Sequence, residues 1–344
     1  NRNVRPSDPE FFEASYEYNS DGEMLQESPP LGNQAQHDFD DESPERFQHG
    51  NKLESVRLAD SRGGDQTTIR ATSIYEPIYN QVRTATDARG NDPSYIPPNG
   101  GAQSAGRYTT RYTFDYEEAC NFAAIGAKIG RSASDVEALR NHAGMCSSPL
   151  GDVNGDGIAN QVNGNVIRIV YPSVTLLPDS NMPSIEGDFS QDIVELFAYN
   201  EFGQLVSTRD PEGNVDEWEY YPERDPDGDG SVDNPAGDAT TGGYLKQTTT
   251  DTTSDSIRNS KTNPPPANIR RIYQYDAVGN VVREIDGRGI ATDYAVNQLN
   301  QVVQITRTAA HGLLVPDPAE PVALNDFEYL ERTFYDFNDN VVLR

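Results

Sequence analysis

Two short acidic stretches carry oxygen-bearing side chains at every second position, the spacing that wraps a hard divalent cation. In "DVNGDGIANQVN", residues 152–163, Asp152, Asn154 and Asp156 stand at offsets 1, 3 and 5. Gly157 supplies the sharp turn at 6, Ile158 offers its main-chain carbonyl at 7, and Asn160 stands at 9. "DPDGDGSVDNPAGD", residues 225–238, repeats those offsets with Asp225, Asp227, Asp229 and Asp233, with Gly230 at 6 and the Ser231 carbonyl at 7. The twelfth position, where a bidentate glutamate closes a calcium-sensor loop, is Asn163 in the first stretch and Ala236 in the second. Asp238 closes the second shell if the loop bulges. One such match is satisfied by an ordinary Asx-rich turn. Two in one acidic chain point to Ca²⁺, because carboxylates this dense repel one another unless a cation sits among them.

Other chemistry is thinly supplied. His37, His49, His142 and His311 form no metal-ligand pattern, and no nucleophile elbow, phosphate loop or dinucleotide fingerprint is present. Cys146 lies four residues from His142 at a helix end, a poor nucleophile–base pair. Cys120 and Cys146 lie 26 apart without a C-x-x-C partner, so zinc is disfavoured, and a single disulfide and two buried thiols both stay open. Acidic pairs are plentiful, but the repeats described below place Asp at turns for backbone reasons, which argues against a glycosidase dyad. The expectation is a protein that is not an enzyme.

The 344 residues carry 27 basic and 55 acidic side chains, a formal charge of −28. That balance argues against nucleic acid and anionic membrane surfaces as partners and makes divalent cations the natural ones. Eighteen Tyr and 12 Phe supply rings for a core although only 35% of residues are hydrophobic. No apolar run reaches the ~18 residues of a membrane span. The best candidate, "FAAIGAKIG" from Phe122 to Gly130, is short, so its Gly126-x-x-x-Gly130 is an accidental match to a membrane dimer motif. No signal peptide opens the chain, and both ends read as cuts in a longer, mature polypeptide.

The elements that must position the acidic loops show in an internal repeat. "AYNEFGQLVSTRDPEGNVDEWEY" (198–220) aligns without a gap on "QYDAVGNVVREIDGRGIATDYAV" (274–296). Each gives Tyr, then Asp or Asn, two residues, Gly, an alternating strand, Asp-x-x-Gly and a second strand. Gly203 and Gly213, Gly279 and Gly289, and Gly22 and Gly32 are all ten apart. Degraded copies put Asn80 ten before Gly90, Asn300 after "YAVNQL", and Asp339 in "FYDFNDNVVLR". A strand of six or so residues such as Leu205 to Arg209 thus ends in a turn whose last position needs positive φ. Gly takes that freely, and Asn and Asp are the next most tolerant. The Asp or Asn three places earlier accepts hydrogen bonds from the turn's own amides. Iterating strand and turn builds a long antiparallel meander in which the Tyr residues stack as core rings; a sugar-binding platform is the lesser reading.

This pattern resembles the Tyr-Asp repeats of the RHS family, found in bacterial RHS proteins, in shell subunits of insecticidal toxin complexes and in animal teneurins. The resemblance rests on Tyr18-Asn19-x-x-Gly22, Tyr199-Asn200-x-x-Gly203, Tyr275-Asp276-x-x-Gly279 and Tyr335-Asp336. The half-turns Asp87-x-x-Gly90, Asp210-x-x-Gly213 and Asp286-x-x-Gly289 support it. It covers about half the chain and implies a mainly β fold: an antiparallel YD-repeat strip spiralling into a hollow shell or cocoon. It also implies a secreted or cell-surface bacterial setting and, in part of the family, an enclosed toxic C-terminal passenger. The first acidic stretch, for its part, resembles dockerin-like or thrombospondin-like calcium loops.

Three segments are expected. Residues 1–116 are YD-repeat sheet, 117–165 a helical insertion carrying the first calcium loop, and 166–344 further repeat sheet with the second loop at 222–240. In "SASDVEALRNHAG", Ser134 is the expected N-cap, Glu137 its capping-box partner and Gly144 the stop. A Ser/Thr/Pro-rich excursion at 248–268, with "PDSNMPSIEGD" (178–188) and "LLVPDPAEPVAL" (313–324), reads as exposed loop. The functional expectation is a calcium-stabilised structural wall whose partners are Ca²⁺, further repeats of its own chain or of neighbouring subunits, and an enclosed passenger. An adhesin that binds surface glycans is the second reading, which requires clustered exposed Tyr or Trp218 on one face.

Overall fold

The computed structural model describes residues 12–41, 46–60, 68–96, 105–143, 145–159, 161–172, 193–253, 266–308 and 328–344. Seventeen strands, from Ser15–Tyr18 to Glu328–Arg332, form one open antiparallel sheet in which each strand pairs with the next in sequence. A further hairpin, Phe334–Tyr335 with Val341–Leu343, stands as its own two-stranded sheet. No helix among the described residues is long and apolar enough to cross a membrane.

The meander follows from one local device. Where a strand ends, the main-chain N–H of an acidic or amide residue donates to a carbonyl across the turn, and its own side chain accepts the turn's amides. Asp276 shows the full set: its N–H donates to Asn280 O at 2.9 Å, and Oδ1 accepts from Val278 N at 3.1 Å and Asn280 N at 2.8 Å. Asn200, Asn297 and Asp336 repeat it. The residue before the crossing has positive φ whether it is Gly279 (88°), Asn300 (59°) or Asp339 (63°). Next to the Tyr-Asp-type turns the pairing carries a bulge. Gln274 faces Arg283 but Tyr275 faces Val281, and the same skip occurs at Tyr18, Phe39, Tyr75, Phe114 and Tyr335. The bulge recurs at an aromatic position in these six hairpins, whereas the pairings of Leu205–Arg209 with Val215–Pro222 and of Val281–Ile285 with Ala291–Val296 run without one.

The chain divides into two compact units, Asn1–Leu196 and Phe197–Arg344. In the first, most sheet side chains are half-buried, and the apolar core lies where an inserted helical segment meets the hairpin turns. Ile78, Phe114, Tyr116, Ile125, Val136, Met145 and Cys146 pack there, and the segment expected at 117–165 thus sits inside this unit. Its helices are Tyr116–Ala119, Phe122–Ile129 and Ala133–Ala143, held by a disulfide from Cys120 to Cys146 with a Cα separation of 5.5 Å. The last helix starts earlier than expected. Ser132, not Ser134, caps it, and Asp135, not Glu137, completes the box: Asp135 N donates to Ser132 Oγ at 3.2 Å and Ser132 N to Asp135 Oδ2 at 3.2 Å. Arg131 N is taken by Gly126 O at 2.8 Å, which ends the preceding helix close enough that only the pair at 132 and 135 can box the next one. Gly144 lies outside the described residues.

In the second unit the rings stack between hairpins rather than around a globular core. Tyr244 and Tyr275 lie 5.1 Å apart, and Tyr221 meets Tyr275 at 6.4 Å. Hydroxyls of Tyr220, Tyr221 and Tyr275 donate to main-chain carbonyls of Leu205, Tyr273 and Leu245, each at 2.8 Å. Three expectations are corrected. Tyr18 is exposed and does not act as a core ring. Asp87 and Gly90 do not form a half-turn with a left-handed glycine. Asp87 instead caps a short helix, Ala88–Asn91, by accepting from Arg89 N and Gly90 N, because Asn91 Nδ2 ties that turn to Arg70 O and Thr86 O. The Ser/Thr/Pro excursion begins later than 248, since Thr248 to Thr250 complete the strand Gly242–Thr250, paired to Arg271, Arg270 and Ile269. Residues 178–188 and 313–324 lie outside the described residues.

Candidate metal-binding loops at the hairpin turns

Both acidic loops are spliced into the repeat's turn. Phe114-Asp115 and Gly164-Asn165 are the two halves of one Tyr-Asp-type turn: Asp115 N donates to Asn165 O at 2.9 Å, as Asp276 does to Asn280. The Asp115 carboxylate accepts from Asn163 N, Gly164 N and Asn165 N at 3.0–3.2 Å, and Gly164 has φ 79°. Everything between, the helices and the first acidic loop, is inserted without disturbing the closure. Phe39-Asp40 and Gly50-Asn51 form a second split turn, with Asp40 N to Asn51 O at 2.9 Å. In the second unit Glu223 N donates to Thr241 O at 2.7 Å around the second acidic loop. Glu76 is a variant in which a one-residue-longer turn is met by a longer side chain; its carboxylate accepts from Ile78 N, Tyr79 N, Gln81 N and Tyr116 Oη. The sequence repeat misses the turns at Asp40 and Asp115 because Phe replaces Tyr and the insertions separate each Asp from its Gly-Asn. The pairs Phe-Asp and Gly-Asn at strand ends were the available signal.

The first loop folds around Asp152. Its Oδ1 accepts from Gly155 N at 2.8 Å and Asp156 N at 3.1 Å, and its Oδ2 from Gly157 N at 2.9 Å. Asp156 Oδ1 accepts from Ile158 N at 2.7 Å, and Asn154 Nδ2 donates to Asp156 Oδ2 at 2.9 Å. Asn163 N donates to Asp115 Oδ2 at 3.1 Å, which anchors the twelfth position to the turn. Asn160 lies outside the described residues. A carboxylate from the insertion's first helix reaches the loop's main chain, although among the described residues no three carboxylates converge here as they do in the second loop. Glu118, 2% exposed, accepts from Val153 N at 2.7 Å through Oε1. Burial pushes its pKa up to about 7, and the charges of Asp156 and Asp152 push the same way against the loop amides. Nothing in the spacing of "DYEEAC" singles out Glu118, because the contact crosses 35 residues.

The second loop gathers four carboxylates. Oxygens of Asp225, Asp227, Asp229 and Asp233 all lie within 4.8 Å of one another. Asp225 Oδ1 accepts from Gly228 N at 2.9 Å and Oδ2 from Gly230 N at 3.1 Å; Asp229 Oδ1 accepts from Ser231 N at 2.6 Å. Asp227 is the buried member, 3% exposed, and burial first, then the Asp229 and Asp233 charges, raise its pKa. The Tyr221 ring fills the space a side chain at Gly228 would need, its nearest atom 2.1 Å from the position of a Cβ. Asp238 does not join the four. Its Oδ1 accepts from Thr240 N, Thr240 Oγ1 and Thr241 N at 2.7–2.9 Å, which closes the end of the insert and lowers its pKa.

The repeat acids are otherwise occupied. Asp210 and Asp286 each accept amides of their own turns, and Gly213 and Gly289 there have φ 86° and 80°. Although burial opposes it, the Arg288 guanidinium and the amides of Ile290 and Arg288 hold Asp286 at about 2. Gly22, Gly203 and Gly279 hold φ of 87°, 77° and 88° at the turns that follow Tyr18, Tyr199 and Tyr275. His37 sits within the strand Gln34–Phe39, and Trp218 is half-buried within Val215–Pro222.

No protein-family model matches the chain and no curated protein matches it. Among solved structures it is similar to TcdB2-TccC3-Cdc42, with 13% identity and a TM-score of 0.46 over 96% of this chain and 11% of that one. The TcdB2-TccC3-TEV structure gives 13% and 0.48 over the same shares, and the Photorhabdus luminescens Tc holotoxin pore 14% and 0.46. This chain spans about a tenth of the length of each, 11%.

Proposed function

We propose that the chain is a non-catalytic stretch of wall in a secreted or surface-displayed bacterial protein of RHS type, a β-shell stabilised by calcium at two inserted loops and built to enclose a passenger. What supports this reading is the turn closure. The main-chain closure and a side-chain carboxylate or amide acceptor recur at Asn19, Glu76, Asn200, Asp276, Asn297 and Asp336 and persist across an insert at Asp115, while the main-chain closure persists at Asp40 and Glu223 as well. A sequence that preserves strand pairing through such interruptions maintains a continuous sheet, and its acidic side chains serve backbone amides rather than a reacting group. Calcium is supported by the four converging carboxylates of the second loop.

Limited proteolysis of the intact parent protein tests enclosure. A distinct segment that resists protease until the shell is unfolded, and is cut at once when expressed alone, is the expected result. A parent with no segment beyond its repeats, or one cut as fast inside the whole protein as outside it, refutes the enclosing role.

A further inference from the structure

In the second unit an apolar side chain stands at the tip of four hairpins, with the acidic insert 223–241 between the first tip and the second. Phe202, Val278 and Leu299 each lie two residues after the turn acceptor, Asn200, Asp276 and Asn297, and Phe337 follows Asp336 directly. The first three are 45%, 69% and 70% exposed and Phe337 is fully so. The tips are contiguous. The Phe202 ring lies against Gly242, and Tyr244 covers Gly279. Asn280 Nδ2 donates to Asn300 Oδ1 at 3.0 Å, and Gln301 Nε2 to Asp339 Oδ1 at 2.8 Å. Leu299 and Phe337 border one cavity of about 500 Å³.

The first unit shows what such a position can carry. Ile78 lies two residues after Glu76 and is 6% exposed, because the helices Phe122–Ile129 and Ala133–Ala143 bring Ile125 and Val136 onto it. In the second unit nothing among the described residues plays that part. Charge defines the missing partner further. The turns 200–204, 223–241, 276–280, 297–301 and 336–340 carry Glu201, Asp276, Asp336, Asp339 and the acidic loop against a single cation, Arg224. A second copy of a chain with net charge −28 is unsuited to that edge.

Hairpins adjacent in the sheet repeat every two strands, about 10 Å, and one heptad of α-helix rises about 10.5 Å. We propose that the exposed hairpin-tip edge of the second unit docks a basic amphipathic helix of another polypeptide, laid across the tips so that apolar residues one heptad apart meet Val278 and Leu299 in turn. Lysines and arginines on its flanks face the turn carboxylates.

The probe is a fluorescein-labelled peptide of about 21 residues, leucine at heptad a and d positions and lysine elsewhere, titrated at about 0.15 M salt and read by anisotropy. Val278→Ser/Leu299→Ser/Phe337→Ser is expected to bind it about ten-fold more weakly with an unchanged melt, and Leu299→Lys alone several-fold more weakly. A scrambled peptide of the same composition, and a leucine–glutamate version, are expected to bind about ten-fold more weakly or not at all. Equal binding by the scrambled peptide, or by both variants, reduces the interaction to bulk charge and overturns the proposal. Equal binding by the glutamate version overturns it too, as does a dimer in sedimentation that the triple variant dissociates, which assigns the edge to a second copy.

Discussion

Removing calcium from the second loop, and then removing one charge from it, should move stability in opposite directions. With carboxylate oxygens within 4.8 Å of one another, each like-charged pair costs at least about 3.5 kcal/mol at an effective dielectric near 20 before solvent screening. Asp229 and Asp233 are exposed, so water and salt relieve much of that; the buried Asp227 keeps most of its share. A cation held at a hundred times its Kd stabilises the folded state by about 2.7 kcal/mol. At about 2–4 °C per kcal/mol for a domain of this size, a chelator should lower the second unit's melting temperature by about 5–10 °C. Asp227→Asn should abolish that difference, and in chelator it should melt above the wild type because the buried repulsion is gone. The pH dependence has a definite sign. Asp227 has a folded pKa above its unfolded value, so its contribution favours the metal-free fold at low pH and is lost as pH rises through the folded pKa. The metal-free unit should therefore melt higher at mildly acidic pH than at neutral pH. Differential scanning calorimetry with Ca²⁺ and with EGTA reads both effects. A melt indifferent to chelator, or an Asp227→Asn variant equally destabilised in both buffers, refutes the reasoning.

Glu118 makes a second titration measurable in the first unit. Its folded pKa, raised to about 7 by burial, means stability present below the ordinary carboxylate range is lost as pH climbs through about 7, and Glu118→Gln should flatten that slope in chelator melts followed by urea denaturation. The Cys120–Cys146 bridge closes a 26-residue separation, and Cys120→Ser/Cys146→Ser should cost about 3.5 kcal/mol on the chain-entropy account, read as a lowered urea midpoint. Gly289 (φ +80°) has open space around a Cβ, so Gly289→Ala should cost only left-handed strain, about 1 kcal/mol. Gly279→Ala adds a contact 2.8 Å from the Tyr244 hydroxyl, and should lower the melting temperature further than Gly289→Ala does.

Period, charge and turn chemistry are local, and the sequence determined them by itself. A Tyr followed by Asn200 or Asp276 and then Gly203 or Gly279 dictates a strand end and a positive-φ turn wherever it occurs, because the requirement is met within five residues. The offsets of Asp225, Asp227, Asp229 and Asp233 likewise foretell converging oxygens, since a glycine-rich loop of that length folds its alternate side chains inward. Where closure depends on residues far apart, order in sequence is silent. Asp115 meets Gly164 and Asn165 across an insertion of helices, Glu118 reaches Val153 from another element, and Asp238 is drawn from the cluster by the amides of Thr240 and Thr241. The start of the last helix shifted for the same kind of reason, since Ser132 and Ser134 are equally good caps until the preceding helix ends against Gly126. Tertiary structure decided these because buried carboxylates are placed by whichever amides burial leaves to be satisfied, and that competition is settled only when the whole sheet and its inserts have packed.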